Sequence, residues 1–196
     1  MTKNFKTNLL YGSLWGFAEA TLGYLLHWIL FPISGMIMFP IGFYFMKRAE
    51  KENEQSSSIF QVAVIAAAIK SVNLFMPNPM IYKALNPIFM ILLQGCLVFV
   101  LLREDVLVDI KRVFAAAFIW RMAFIGILLV EFGSPSNIYY LSGGPSRIIN
   151  FLLINPAINT VVITLIHKYS LKGKFKLNPN YGFLVFLLAI SVQFIL

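Results

Sequence analysis

The sequence predicts an all-α chain, a polytopic transmembrane helical bundle of six to seven spans forming a single domain over residues 1–196. Three observations predict it. Of the 196 residues, 59% are hydrophobic and 12% charged, whereas a soluble domain is nearer half apolar and a quarter charged. Mean hydropathy is +0.79. Apolar runs of membrane-spanning length recur along the chain, and basic residues gather between alternate runs. Such a composition excludes a water-soluble globule, a disordered tail and a secreted disulfide scaffold. A lone cysteine, Cys96, forms no internal disulfide. With only two histidines beside it, no zinc or iron–sulfur centre and no cofactor are expected.

Seven runs define the elements in order: Leu9–Phe31, Ile33–Met46, Ile59–Met76, Tyr82–Leu102, Val113–Phe132, Arg147–Ile166 and Tyr181–Leu196. A bilayer core needs about 20 helical residues. The second and seventh runs are short; Ile33–Met46 reaches only about 21 Å at 1.5 Å per residue. It is either a half-buried helix or a span where neighbours thin the bilayer. The stretch Arg48–Ser58 reads as a polar cytoplasmic loop, and Arg103–Arg112 as a short interfacial helix.

Charge decides the count and the orientation. The net charge is +8, from 16 Lys and Arg against 8 Asp and Glu. No basic face interleaved with aromatics points to nucleic acid. With the N-terminus inside, Lys3, Lys6, Lys47, Arg48, Lys51, Arg103, Lys111, Arg112, Lys168, Lys172, Lys174 and Lys176 all lie on the cytoplasmic side. The opposing loops, Pro32, Pro77–Ile81 and Gly133–Ser146, hold no charge. This alternation requires Ile33–Met46 to cross, and it predicts a multi-pass cell-membrane protein with a cytoplasmic N-terminus. Lys3 and Lys6 precede a 23-residue run with no A-x-A site after it, so the first run reads as a true span rather than a signal peptide.

In the first span, Gly12, Gly16, Glu19, Ala20, Gly23 and His27 share a stripe about 100° wide. Small residues four apart let another helix approach closely. The stripe serves either internal packing or, through Gly12, Gly16 and Ala20, docking of a partner membrane subunit. Glu19, Lys70 and Arg121 are the deeply placed charges and should face protein or water. Glu19 paired with Lys70 or Arg121 is one reading; a proton relay or ligand contact is the other. Two cations against one acid leave positive charge to be matched by Glu131, by carbonyls or by an anionic ligand.

The remaining polar groups collect at the outer ends of spans three to six. Asn73, Asn78, Lys83 and Asn86 flank one loop, and Glu131 ends the fifth span. The uncharged loop GSPSNIYYLSGGPS carries Tyr139, Tyr140 and a Gly143–Gly144 pair, then leads into Arg147, Asn150, Asn155 and Asn159. Arg147 and Asn150 share one helix face, Asn155 and Asn159 another. Asn86–Pro87 and Asn155–Pro156 are kink signals that free backbone carbonyls. Either these residues only kink and glue helices, or they build a pocket. That pocket would have amide donors, aromatic walls, a glycine-bearing lid, and Arg147 and Lys83 at its rim. The basic surplus favours a ligand bearing a carboxylate or phosphate.

There is no Walker A sequence, and no G-x-S-x-G or H-E-x-x-H motif. The small size, the apolar spans and Gly12-x-x-x-Gly16-x-x-x-Ala20 resemble the S components, the substrate-binding membrane subunits of energy-coupling factor transporters. That resemblance implies capture of a vitamin-like micronutrient in an outward-facing pocket, without enzymatic activity. It also implies partners: a coupling membrane subunit, which would contact the first helix, and two ATPases. It typically implies six helices, one fewer than counted here. Two rival classes follow from the residues. One is an intramembrane lipid-modifying enzyme using Glu19 and His27, although two turns, about 12 Å, separate them. The other is a packing or assembly subunit.

Overall fold

A computed structural model describes residues 2–29, 34–76, 81–102, 109–170 and 177–195. Among these the secondary structure is helical, with no strand. Five long helices come first: α1 (Lys3–Ile29), α2 (Ser34–Asn53), α3 (Ser57–Ser71), α4 (Ile81–Leu102) and α5 (Ile110–Phe132). Two short helices follow, α6 (Tyr139–Ser142) and α7 (Gly144–Ile149). The chain then opens into a wide turn over Asn150–Ile154 and continues as α8 (Asn155–Leu165). The last helix is α9 (Gly182–Ile195).

Local chemistry places the ends. Asp109 caps α5, its carboxylate accepting from the Lys111 N–H at 2.9 Å. Gly133, at φ +68°, ends the same helix, and its N–H returns to the Leu129 carbonyl. A left-handed terminal residue of this kind favours glycine. Pro156 has no N–H, and its ring would crowd the carbonyl four residues back. The wide turn immediately before it relieves both demands.

The helices close into a ring in the order α1, α3, α4, α5, α8, α2 and back to α1. Helix α2 also reaches α3 and α4, so it lies inward; α9 packs outside, on α1 and α3. Trp15 of α1 is fully buried and packs against Gly42 of α2, where any Cβ would overlap its ring. Phe39 of α2 stacks on Trp120 of α5 at 6.2 Å between centroids. Around these rings gather Tyr11, Phe43, Met46, Ile91 and the small residues Ala63, Ala66, Ala116 and Ala117.

Polar contacts identify one end of the bundle. Asn53, closing α2, donates to the Asn4 carbonyl, to Asn8 Oδ1 and to Ser58 Oγ. Lys47 Nζ donates to the Leu102 carbonyl at the end of α4. Lys6 Nζ reaches Asn180 ahead of α9. The starts of α1, α3 and α9 therefore meet the ends of α2 and α4. Of the basic residues named for the cytoplasmic side, Lys3, Lys6, Lys47, Arg48, Lys51, Lys111, Arg112 and Lys168 lie at this end. Arg103, Lys172, Lys174 and Lys176 lie outside the described residues, as do Pro32, Asn78 and the rest of 77–80, and the side chains of His27, Trp28 and Lys83.

Two sequence expectations are corrected here. The stretch Arg48–Ser58 is not a loop: α2 runs to Asn53, three residues turn, and α3 starts at Ser57. The charges keep the helix intact because they pair along it, Lys47 with Glu50 and Arg48 with Glu52. The Tyr11 hydroxyl donates to Glu52 at 2.6 Å. The extension makes α2 a 20-residue helix, about 30 Å long. For the interfacial helix Arg103–Arg112, residues 103–108 lie outside the described set. Asp109 is a cap, and Lys111 and Arg112 form the first turn of α5.

Four stretches among the described residues are long and apolar enough to cross a membrane: Ser57–Phe75, Leu85–Leu102, Ile110–Phe132 and Gly144–Tyr169. Pro179–Ile195 is apolar but shorter. Helices α1 and α2 have the length but carry more polar side chains. The molecule is thus a helical bundle of membrane character, with four spans carried by length and composition.

Candidate ligand cavity

The uncharged loop folds at the end of the bundle away from the basic cluster. Ser134 accepts from the Ser136 N–H and starts a single helical turn over Pro135–Asn137. Ile138 and Tyr140 are buried, so the segment is anchored rather than a free strap. Gly144, at φ +77°, joins α6 to α7 in a conformation that side chains disfavour. The Arg147 side chain folds back over Gly143, where it fills the space a Cβ would need. Its guanidinium lies 4.5 Å from the centre of the Tyr139 ring, a cation–π contact at the rim.

Tyr139, Tyr140, Arg147, Asn150, Phe151 and Asn155 line one cavity of about 130 Å³. Five of the six are among the ligand-binding residues expected from sequence. Asn150 and Asn155 were expected on different faces. The wide turn changes that: the Asn155 N–H donates to the Asn150 carbonyl five residues back, so both side chains reach the same cavity. Phe151 was not expected. Its signal was its place midway between Arg147 and Asn155, four residues from each.

Beneath the cavity lies an aromatic cluster. Tyr140 stacks on Phe151 at 4.0 Å, and Phe124 of α5 meets both rings and Trp120. Burial pushes the Tyr140 hydroxyl up to about 12, a rise that nearby Arg121 opposes and Tyr139 assists. Tyr140 therefore remains a neutral hydroxyl at physiological pH.

The other expected ligand residues lie elsewhere. Asn86 of α4 donates to Glu131 of α5 at 2.7 Å, clamping the two helices. Asn73 sits half-buried in the turn after α3, outside the cavity lining. Lys83 begins α4, and its side chain lies outside the described residues.

Of the three deep charges, Glu19 and Lys70 stay together and Arg121 stands apart. Glu19 accepts from Trp15 Nε1 at 3.3 Å and feels the charge of Lys70 across the α1–α3 contact. Arg121 belongs to the other side of the bundle, fully buried, beside Trp120, Phe151 and Tyr140.

Of the two readings of the α1 stripe, internal packing describes Gly12 and Gly16. A Cβ on Gly12 would stand 2.7 Å from the Ile65 Cβ, and one on Gly16 2.8 Å from the Ile69 Cδ1. Both neighbours are on α3 of this chain, and Ala20 is buried. Gly12 and Gly16 face inward because α3 occupies the close approach they permit. The chain matches no protein-family model, no curated protein and no solved structure.

Proposed function

We propose that this protein is the substrate-binding membrane subunit of a micronutrient uptake transporter. It captures a small organic ligand and performs no chemistry on it. The observation that carries this reading is the convergence of Tyr139, Tyr140, Asn150, Phe151 and Asn155 on one cavity at the end opposite the basic cluster. Aromatic walls with a few amide groups are the usual composition of a small-molecule site. In this reading α1 and α2 cross with the four apolar spans, giving six or, with α9, seven crossings. The basic end faces the cytoplasm, so the N-terminus is inside the cell and the cavity opens outward. The partners this function entails are a coupling membrane subunit and ATPases. They dock away from Gly12 and Gly16, whose face is taken by α3.

Orientation is checked by single cysteines in a Cys96→Ser background. A cysteine at Ser136 is expected to react with an impermeant thiol reagent on intact cells, and one at Ser56 only after permeabilisation. The reverse pattern would overturn the outward-facing cavity. Ligand capture is checked by mass spectrometry of extracts from protein purified in mild detergent. A small molecule is expected from the wild type and not from Asn155→Phe, which fills the cavity. Its recovery from both, or from neither, would sink the reading.

A further inference from the structure

We infer that the ligand of this cavity carries a carboxylate, and that the carboxylate binds side-on to the buried guanidinium of Arg121; the inference rests on the capture function proposed above. Arg121 sits midway along α5 and is 0% exposed. Its Nη1 donates to the Ala117 carbonyl of its own helix at 2.9 Å. The rings of Trp120 and Phe151 stand 5.1 and 5.7 Å from its central carbon. Its other two nitrogens, Nε and Nη2, have no hydrogen-bond partner among the described residues. These two share one edge of the planar guanidinium. It is an edge whose parallel N–H groups match the two oxygens of a carboxylate.

A buried cation left without a counter-charge is strongly unfavourable. Of the two cations the sequence offered as partners for Glu19, the structure sets Lys70 beside it, on the α1–α3 side, and not Arg121. The adjacent residue adds a donor rather than an acceptor. Trp120 Nε1, which can only donate, is also buried without a partner among the described residues. An oxyanion supplies the acceptors this group of donors lacks.

The cavity lies one aromatic layer from Arg121. Phe151 meets Phe124, and α8 runs antiparallel to α5. One turn on, Asn155 therefore stands at about the height of Arg121. Phe151 and the Tyr140 ring stacked on it line the cavity and also border the guanidinium. Phe151 is carried by the wide turn Asn150–Ile154, where the regular hydrogen-bond ladder is already interrupted. Side-on binding therefore requires the Phe151 ring to turn aside, so that the cavity opens onto Arg121. The ligand's body then lies against Tyr139, Tyr140 and Phe151, which suits a compact aromatic acid.

Benzoate and its neutral isostere benzamide test this on the purified full chain, with tryptophan emission as the readout because Trp120 borders the guanidinium. Benzoate is expected to give a saturable change in emission that disappears in Trp120→Phe; benzamide is expected to give none. Arg121→Lys keeps the charge but loses the two-pronged edge, and its benzoate affinity is expected to fall at least tenfold. Arg121→Met removes the charge and should abolish the response. Arg147→Ala, at the rim, should shift affinity by less than either. Equal responses to benzoate and benzamide, an unchanged affinity in Arg121→Lys, or no saturable response to benzoate would each overturn the inference. Recovery of a neutral molecule from the wild-type extract, with benzoate silent, would leave the capture function standing and remove only the carboxylate.

Discussion

Replacing Gly16 with leucine is expected to destabilise the isolated protein, lowering its melting temperature in detergent and its monodisperse yield. The Ile69 side chain of α3 occupies the space: a Cβ at position 16 meets its Cδ1 at 2.8 Å and its Cβ and Cγ2 at 3.1 Å. Ile69 is itself fully buried and has nowhere to retreat. Leucine adds three further carbons, so α1 and α3 must part. Overpacking of a tight core contact costs about 1–3 kcal/mol and more when backbones must move, and a leucine here belongs at the upper end. Trimming the opposing residue should relieve part of the strain. Gly16→Leu with Ile69→Ala is expected to melt higher than Gly16→Leu alone, by an amount a double-mutant cycle measures. A Gly16→Leu protein as stable as the wild type would return this face to the list of docking surfaces.

Glu50→Ala is expected to lower stability by about 3–5 kcal/mol, the range for removing one partner of a buried ion pair. Lys47 and Glu50 are both buried at the basic end of the bundle, one turn apart on α2. Lys47 also donates to the Leu102 carbonyl, so this ammonium ties the end of α4 to α2. Without Glu50 the ammonium keeps its burial and loses that carboxylate. Replacing both residues with methionine is expected to be far milder than Glu50→Ala, because the buried ammonium is removed together with its carboxylate. Chemical or thermal unfolding of the three variants checks this. A Glu50→Ala protein within about 0.5 kcal/mol of wild type, the usual range of surface substitutions, would show the pair to be solvated.

Much of the cavity was legible because its residues are unusual where they occur. Tyrosines, asparagines and an arginine concentrated at one end of apolar runs stand out against a lipid-facing background. What spacing misjudged was phase. An ideal helix puts Asn150 and Asn155 on different faces, and the extra residue in the turn before Pro156 brings them together. Arg147 drew attention as the arginine nearest the loop, yet it rests on the Tyr139 ring at the rim, while the buried guanidinium with unused donors is Arg121. Burial and hydrogen-bond occupancy separate those two arginines, and neither is written in local sequence.

The sequence by itself determined that the chain is a membrane-type helical bundle. Hydropathy and length are sums along the chain, and they need no partner to be evaluated. It likewise determined which ends of the helices carry the basic charge. Only the tertiary structure decided what each helix face meets. It filled the Gly12–Gly16 face with α3. It converted Arg48–Asn53 from loop to helix by pairing its charges in a buried cluster. It also parted Arg121 from Glu19, leaving each on a different side of the bundle. These outcomes depend on which helices become neighbours and at what rotation. Packing energy between distant segments fixes both, and periodicity within one segment cannot encode it.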